Sequence, residues 1–494
     1  MQTSSAITLN RQNLSQLANH VQVPDYRVED VKTGIVHIGV GGFHRAHQAM
    51  YTDALMSQTG ELDWGICGIG LREGDRKMQQ ILAAQDYLYT LVEKHAGGER
   101  KARVIGAITD FLIATDSPAA IIEKMAEPTV KLVSLTITEG GYNLDSATGE
   151  FMADNADVQY DLQNPQTPKL VFGYLLAALK LRKQRGIAPF TLMSCDNIQH
   201  NGDVLKKMLL AYIELADGEF ASWVNEHVMF PNSMVDRITP STTQEDIDQL
   251  AEQHVIDGWP VVCEPFTQWI IEDAFCNERP AWEAVGAQFV PAVSPYEKLK
   301  LRMLNAGHSV LGLCGSLADT NTIHESMQVD ALKTLLSNFM SQEVMPTLDP
   351  VEGIDVEQYK QTLLERFANP NIKDSLARIC LQSSAKIPVF LLPTVQDNLR
   401  QQGQVKISAL VLACWCYYSD KQQSQQGTAL DIQDDMAERL HQAAAQTSEN
   451  PLAFLQLEAV FGQLASQPDF TQLYTDFVKR LYAGEDVLKM ATTI

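Results

Sequence analysis

"GIVHIGVGGFHRAHQAMYTDALM", residues 34–56, changes its period half-way along. Ile35 to Val40 read as a strand buried on both faces, and from about Phe43 the apolar residues Ala46, Met50, Ala54 and Leu55 fall on a helical stripe. A strand that passes through glycines into a helix is how a dinucleotide-binding unit begins. Gly39 and Gly41 permit a tight turn and let backbone N–H groups approach a pyrophosphate near the positive end of the helix. The cofactor is therefore expected along Ile38, Gly39, Val40, Gly41, Gly42, Phe43, His44 and Arg45. The third position of the G-x-G-x-x-G pattern is His44, so the pattern is incomplete, and a structural turn explains the glycines almost as well.

Outward from this stretch, "WGICGIGL" (64–71), "KLVSLTIT" (131–138) and "FTLMSCDN" (190–197) read as further buried strands, separated by helical segments such as "VFGYLLAALKLRKQRG" (171–186). The alternation predicts an α/β fold with an open parallel sheet covered by helices. From about residue 295 the texture changes: "VDALKTLLSNFMSQEV", "VEQYKQTLLERFA" and "ALDIQDDMAERLHQAAAQ" are helix-periodic and strands are scarce. A chain of 494 residues exceeds what one core normally organises. The expectation is a Rossmann-type NAD-binding domain over 1–290 and a mainly α-helical substrate and catalytic domain over 291–494. "ALVLACWCYY" (409–418) reads as a buried helix, too short to span a bilayer, and "SDKQQSQQG" (419–427) as a surface loop.

The formal charge of −23 argues against nucleic acid and against an anionic membrane surface, while leaving room for a small substrate in a local cationic pocket. Eight scattered cysteines without a CxxC pair read as reduced core thiols of a cytoplasmic protein. The opening residues lack the basic start and apolar run of a signal peptide. A monomer is one option, with oligomeric state left open.

After the second strand, "LREGDRK" offers Asp75, with Glu73 behind it, to accept from the adenosine ribose hydroxyls and repel a 2′-phosphate, favouring NAD. Arg72 leaves some tolerance of NADP, and a solvated charged loop is the plainer alternative.

The chemistry is expected in "YEKLKLRMLNAGHS" (296–309). At about 100° per residue, with Lys300 at zero, Glu297 falls at about 60°, His308 at about 80° and Asn305 at about 140°. These polar groups share half a helix with Leu301 and Leu304, which resembles a pocket lining more than a solvated face. Oxidising a secondary alcohol by hydride transfer needs a base for the hydroxyl proton and donors for the developing alkoxide. A desolvated lysine can serve as base and asparagine amides as donors. His308 would orient a substrate hydroxyl and Glu297 would pass the proton on. Spacing alone also allows satisfied core residues. Asn197, just after the strand in "SCDNIQHNG", sits where open parallel sheets bind ligands, or else forms an Asx turn or helix cap. Asp236, in "MVDRITP", would grip substrate hydroxyls or pair with Arg237.

Together these stretches, with "VSLTITEGGY", "CEPFTQW" and "RFANPNIKD", resemble the mannitol dehydrogenase family of polyol-specific long-chain dehydrogenases and reductases. The resemblance runs from about residue 30 to the C-terminal helices. It implies reversible, NAD-dependent oxidation of D-mannitol to D-fructose without a metal, with substrate between the two domains. It implies Lys300 as base, Asn197 and Asn305 as oxyanion donors, and His308, Asp236, Arg378 and Lys386 on the sugar hydroxyls. Glu297 matches the proton relay and Asp75 the ribose acid; Gly74 stands where close relatives are often acidic, which loosens the expected NAD preference. Fructuronate reduction is the nearest alternative, with Arg378 or Lys386 for the carboxylate, and arabinitol or sorbitol oxidation stay open. Two other classes compete. "FHRAH" invites a zinc alcohol dehydrogenase through His44 and His47, but lacks cysteine or carboxylate partners nearby. A non-catalytic NAD sensor would need the glycine turn but not the lysine helix.

Overall fold

The computed structural model describes residues 6–145 and 148–494; the first residues of the N-terminal segment judged to lack a signal peptide lie outside them. Two units are present, Met1–Val293 and Ser294–Ile494.

The first unit is built on a five-stranded parallel sheet of β1 (Thr33–Ile38), β2 (Gly65–Gly70), β3 (Ile108–Ile113), β4 (Leu132–Leu135) and β5 (Thr191–Ser194). Its spatial order is β3-β2-β1-β4-β5, the Rossmann arrangement, in which the strand order reverses at β1 and β4. Side chains alternate between two cores, which is why the strands read as unbroken apolar runs. Val36, Ile38, Cys67, Ile69, Val133 and Leu135 enter one core, with helices Val171–Gln184 and Asn201–His227. Ile35, Ile66, Ile108 and Leu132 enter the other, with α1 (Gly42–Ala46) and α2 (Gln48–Thr59). Each such aliphatic contributes about 1.5–3 kcal/mol relative to exposure.

β3 has no strand signature in the sequence, because Thr109 and Asp110 interrupt its apolar run. Its place at the sheet edge makes those polar residues tolerable. Equally unmarked in the sequence is a hairpin, Tyr89–Lys94 with Arg100–Ile105, which adds Val261–Cys263 in parallel. The charges of that hairpin are paired: Lys94 and Arg100 both reach Asp246 at 2.6 Å. A third sheet joins Ser233–Asp236 antiparallel to Gln268–Glu272, which pairs in parallel with Gln288–Val290.

The second unit is helical, and among its described residues β-structure is limited to isolated bridges. Its centre is the helix Lys406–Lys421, in which Ala409 to Cys416 are fully buried. Around it pack Ala306–Leu317, Ala437–Ala445 and Pro468–Tyr482. The expected helix over 429–446 shrinks to Ala437–Ala445, because Asp434 is tied to Ser384 and Met436 and holds the preceding chain outside helical geometry. The expected loop 419–427 begins inside the central helix, which ends at Gln422 in the left-handed region. No helix of the described residues is long and apolar enough to cross a membrane.

Candidate active site

The glycine turn follows β1. Gly39 has φ of +95°, and a Cβ there would collide with the Thr136 carbonyl at the end of β4, so two constraints require glycine. Gly41 differs. Its backbone is extended, and a Cβ would meet only the Gly39 carbonyl, at 3.8 Å. The protein itself does not demand glycine there, and the open approach fits a backbone meant to touch a dinucleotide. Ile38 and Val40 anchor the turn in the two cores, Val40 against Gly68.

His44 replaces the third glycine of the pattern because it has a partner. Its ring stacks on His37 of β1, with centroids 3.5 Å apart and planes at 12°. His37 in turn bonds Ser134 Oγ at 2.8 Å and Thr136 Oγ1 at 2.9 Å. Burial lowers His37 to about 3 and holds His44 well below its ordinary range, helped by the adjacent histidine, so both rings are neutral. His47 lies elsewhere, with Nε2 3.0 Å from the Gln268 carbonyl and its ring among Phe43, Tyr51 and Trp269. Arg45 is buried, donating to the Trp259 carbonyl and lying over the Tyr89 ring. The helical pair imagined for zinc therefore has two separate structural tasks. Among the described residues no group of three His, Cys, Asp or Glu is placed to hold a metal ion.

Beyond β2, Asp75 accepts from the Arg72 N–H at 3.1 Å and sits against Gly70. Glu73 behind it is committed, bonding Arg76, which also holds Asp116. At the end of β5 Asn197 is exposed, and the next helix starts at Asn201, so Asn197 is not its cap. Its neighbour Asp196 was not singled out, yet it organises this edge. Buried, it accepts from the N–H groups of Ile137 and Thr138 and from the Tyr142 hydroxyl, pinning the loop after β4, where Thr138 has φ of +59°. The glycine turn, Asp75 and Asn197 thus all lie at the carboxyl edge of the parallel sheet. Asp236 ends a strand of the third sheet and is buried, while Arg237 is taken by Glu93 at 2.6 Å and by the carbonyls of Ala46 and Glu264.

In the second unit Glu297, Lys300, Asn305 and His308 lie on one continuous helical rod, Ser294–Leu317, with a wider five-residue turn at Leu301–Asn305. Lys300 is 5% and Asn305 9% exposed, and Asn305 Oδ1 has no hydrogen-bond partner among the described residues. His308 stacks on Phe367 at 4.4 Å. Gly307 lets the rod lie close to Leu336 and Met340. Arg378 and Lys386 sit on two short helices, Leu376–Cys380 and Ser383–Phe390, that pack against this rod. Arg378 is held by both oxygens of Asp374, at 2.7 and 2.5 Å, and Lys386 Nζ donates to the Ile379 carbonyl. The carboxylate on Arg378 had no signal in the sequence beyond an (i, i+4) spacing.

Comparison with known proteins gives the same division. A family profile for the mannitol dehydrogenase Rossmann domain matches residues 33–284, and one for the mannitol dehydrogenase C-terminal domain matches 292–482. The mannitol 2-dehydrogenase of Phaeosphaeria nodorum is 46% identical over 462 residues, 93% of this chain and 80% of that protein. The Pseudomonas fluorescens mannitol 2-dehydrogenase, solved as a ternary complex with NAD and D-mannitol, is 45% identical with a TM-score of 0.90, covering 99% of this chain and all of that one. A D-sorbitol dehydrogenase in substrate-free form is 34% identical with a TM-score of 0.90, covering 97% of this chain and 99% of that one.

Proposed function

The chain belongs to the mannitol dehydrogenase family, and from that premise we propose that it is an NAD-dependent mannitol 2-dehydrogenase, interconverting D-mannitol and D-fructose. The observation that carries the reading is the buried lysine on a rod that also bears Asn305 and His308. Bound NAD⁺ supplies the hydride acceptor. The open flank of Gly41 and the carboxylate of Asp75 beyond β2 suit its pyrophosphate and adenosine ribose, and Asp75 disfavours a 2′-phosphate.

On this reading Lys300, 5% exposed, takes the proton from the hydroxyl being oxidised. Asn305 and Asn197 donate amide N–H groups to the oxygen as negative charge grows there. The unpartnered Asn305 Oδ1 leaves that amide with a free acceptor that a substrate hydroxyl can satisfy. His308, Asp236, Arg378 and Lys386 hold the remaining hydroxyls, and Glu297, 5% exposed and one turn before Lys300, passes the proton onward. Asp374 holds the Nε and Nη2 edge of Arg378 and offsets its charge, which weakens the pull on a uronate carboxylate and favours a neutral polyol. The eight unpaired thiols suit a reducing cytoplasm.

NADH absorbance across mannitol, sorbitol, arabinitol, fructose, fructuronate and tagaturonate, with both cofactors, tests the substrate. Highest kcat/KM for mannitol and fructose with NAD is expected; a preference for a uronate would overturn it. Lys300→Ala is expected to lower kcat about 10²- to 10⁴-fold while NADH still binds, and near-normal turnover would remove the base.

A further inference from the structure

The 5-and-3 spacing of Lys300, Asn305 and His308 does not suit a regular α-helix, which spreads the three over about 140°. The rod solves this locally. The Ala306 N–H reaches back five residues to the Leu301 carbonyl, so Leu301–Asn305 is wound as a π-turn, at about 82° per residue. With that winding Asn305 moves to about 50° from Lys300 and His308 to about −10°, and the three span about 60°. The 5-and-3 spacing is a 4-and-3 helical stripe with one residue inserted and absorbed.

An inserted residue is held in such a turn only if something keeps it there. Arg302 falls at about 160° on the same wheel, away from the stripe, and is only 8% exposed. Its Nη1 donates to Thr347 Oγ1 at 2.8 Å and lies 2.7 Å from Asp397. Thr347 Oγ1 spends its own hydrogen on the Val344 carbonyl, so it faces Arg302 as an acceptor. We propose that Arg302 is a positioning residue: anchored to Thr347 and Asp397, it keeps the turn wide, and the wide turn puts Lys300, Asn305 and His308 on one stripe. The proposal rests on the reading that these three act on one substrate.

The geometry makes an unusual demand. Deleting Arg302 removes the anchor and the extra residue together. In the resulting α-helix Asn305 would lie at about 40° and His308 at about −20°, with Met303 turned by about 45° and Leu304 by about 30°. Arg302→Met removes the anchor but keeps the length, so the stripe is lost if the turn relaxes. Arg302→Met is therefore expected to lower kcat about 10- to 100-fold with NADH affinity unchanged, and the deletion to recover at least about tenfold of that loss.

Wild-type kcat in Arg302→Met would overturn the proposal. So would a deletion variant that binds NADH normally, with an unchanged thermal transition, yet turns over no faster than Arg302→Met. Should the deletion not fold, Thr347→Val combined with Asp397→Asn tests the same anchor from its other end. A kcat loss matching Arg302→Met supports the proposal, and an unchanged kcat overturns it. An inactive wild type would sink the functional reading itself, whereas an active wild type with indistinguishable variants sinks only the wide-turn proposal.

Discussion

The turn after β1 and the turn inside the lysine rod both break regular geometry to place polar groups, but they are held by different means. At Gly39 the break is made by the residue itself, through a backbone angle that only glycine adopts freely, and the neighbouring strand merely confirms it. At Leu301–Asn305 no residue type forces the break. It is secured by side chains 45 and 95 positions away from Arg302, at Thr347 and Asp397. A turn of the first kind announces itself in the sequence; a turn of the second kind cannot.

The sharpest way to break this contrast is within the glycine turn. Gly39→Ala combines a left-handed backbone with a collision against Thr136, and is expected to cost about 2–5 kcal/mol in denaturant unfolding. Gly41→Ala is expected to leave stability within about 0.5 kcal/mol but to weaken NADH about tenfold, about 1.4 kcal/mol, by fluorescence titration. Equal stability losses in the two would mean that Gly41 is also a structural glycine.

The two units should also answer pH in opposite directions. Buried Glu343, in a second π-turn at Phe339–Val344, accepts from the N–H groups of Ile407 and Ser408 and from the Ser408 hydroxyl, and burial pushes it up to about 7. The stability of its protonated form is fully present below about 4.5 and is lost as pH rises through about 7. Relative to Glu343→Gln, the wild type should lose on the order of 3 kcal/mol between those limits. His37, lowered to about 3 by burial, works the other way. Its contribution is present above the ordinary histidine range near 6.5 and is lost as pH falls toward about 3, so His37→Asn should flatten the acid side of the profile. Thermal unfolding across pH measures both, and parallel profiles would show that neither group is buried as described.

The smallest effect is expected from Asp374→Asn. Loosening Arg378 should raise the ratio of kcat/KM for fructuronate over fructose by about three- to tenfold, about 0.7–1.4 kcal/mol. An unchanged ratio would mean that Arg378 does not face the substrate.

Much of the fold was legible because it rests on local pattern. β1, β2, β4 and β5 are apolar on both faces and read as strands. β3 was missed because an edge position lets Thr109 and Asp110 stand inside it, and the hairpin because Lys94 and Arg100 find Asp246 some 150 residues on. The candidate residues of the rod stand out by their chemistry, yet a regular helix turns Asn305 about 140° from Lys300, where the wide turn brings it to about 50°. Asp196, Asp374 and Arg302 were not found, since each acts on backbone or side chains whose proximity no spacing displays.

Residue type and order alone determined the strand-to-helix turn, the parallel sheet and the helical second half, and singled out the lysine and amides proposed for the alcohol chemistry, because these follow from periodicity and functional groups. Tertiary structure alone decided which way those groups face. A helix can absorb one residue more or less at small cost, so its local winding is set by whichever distant partners hold it.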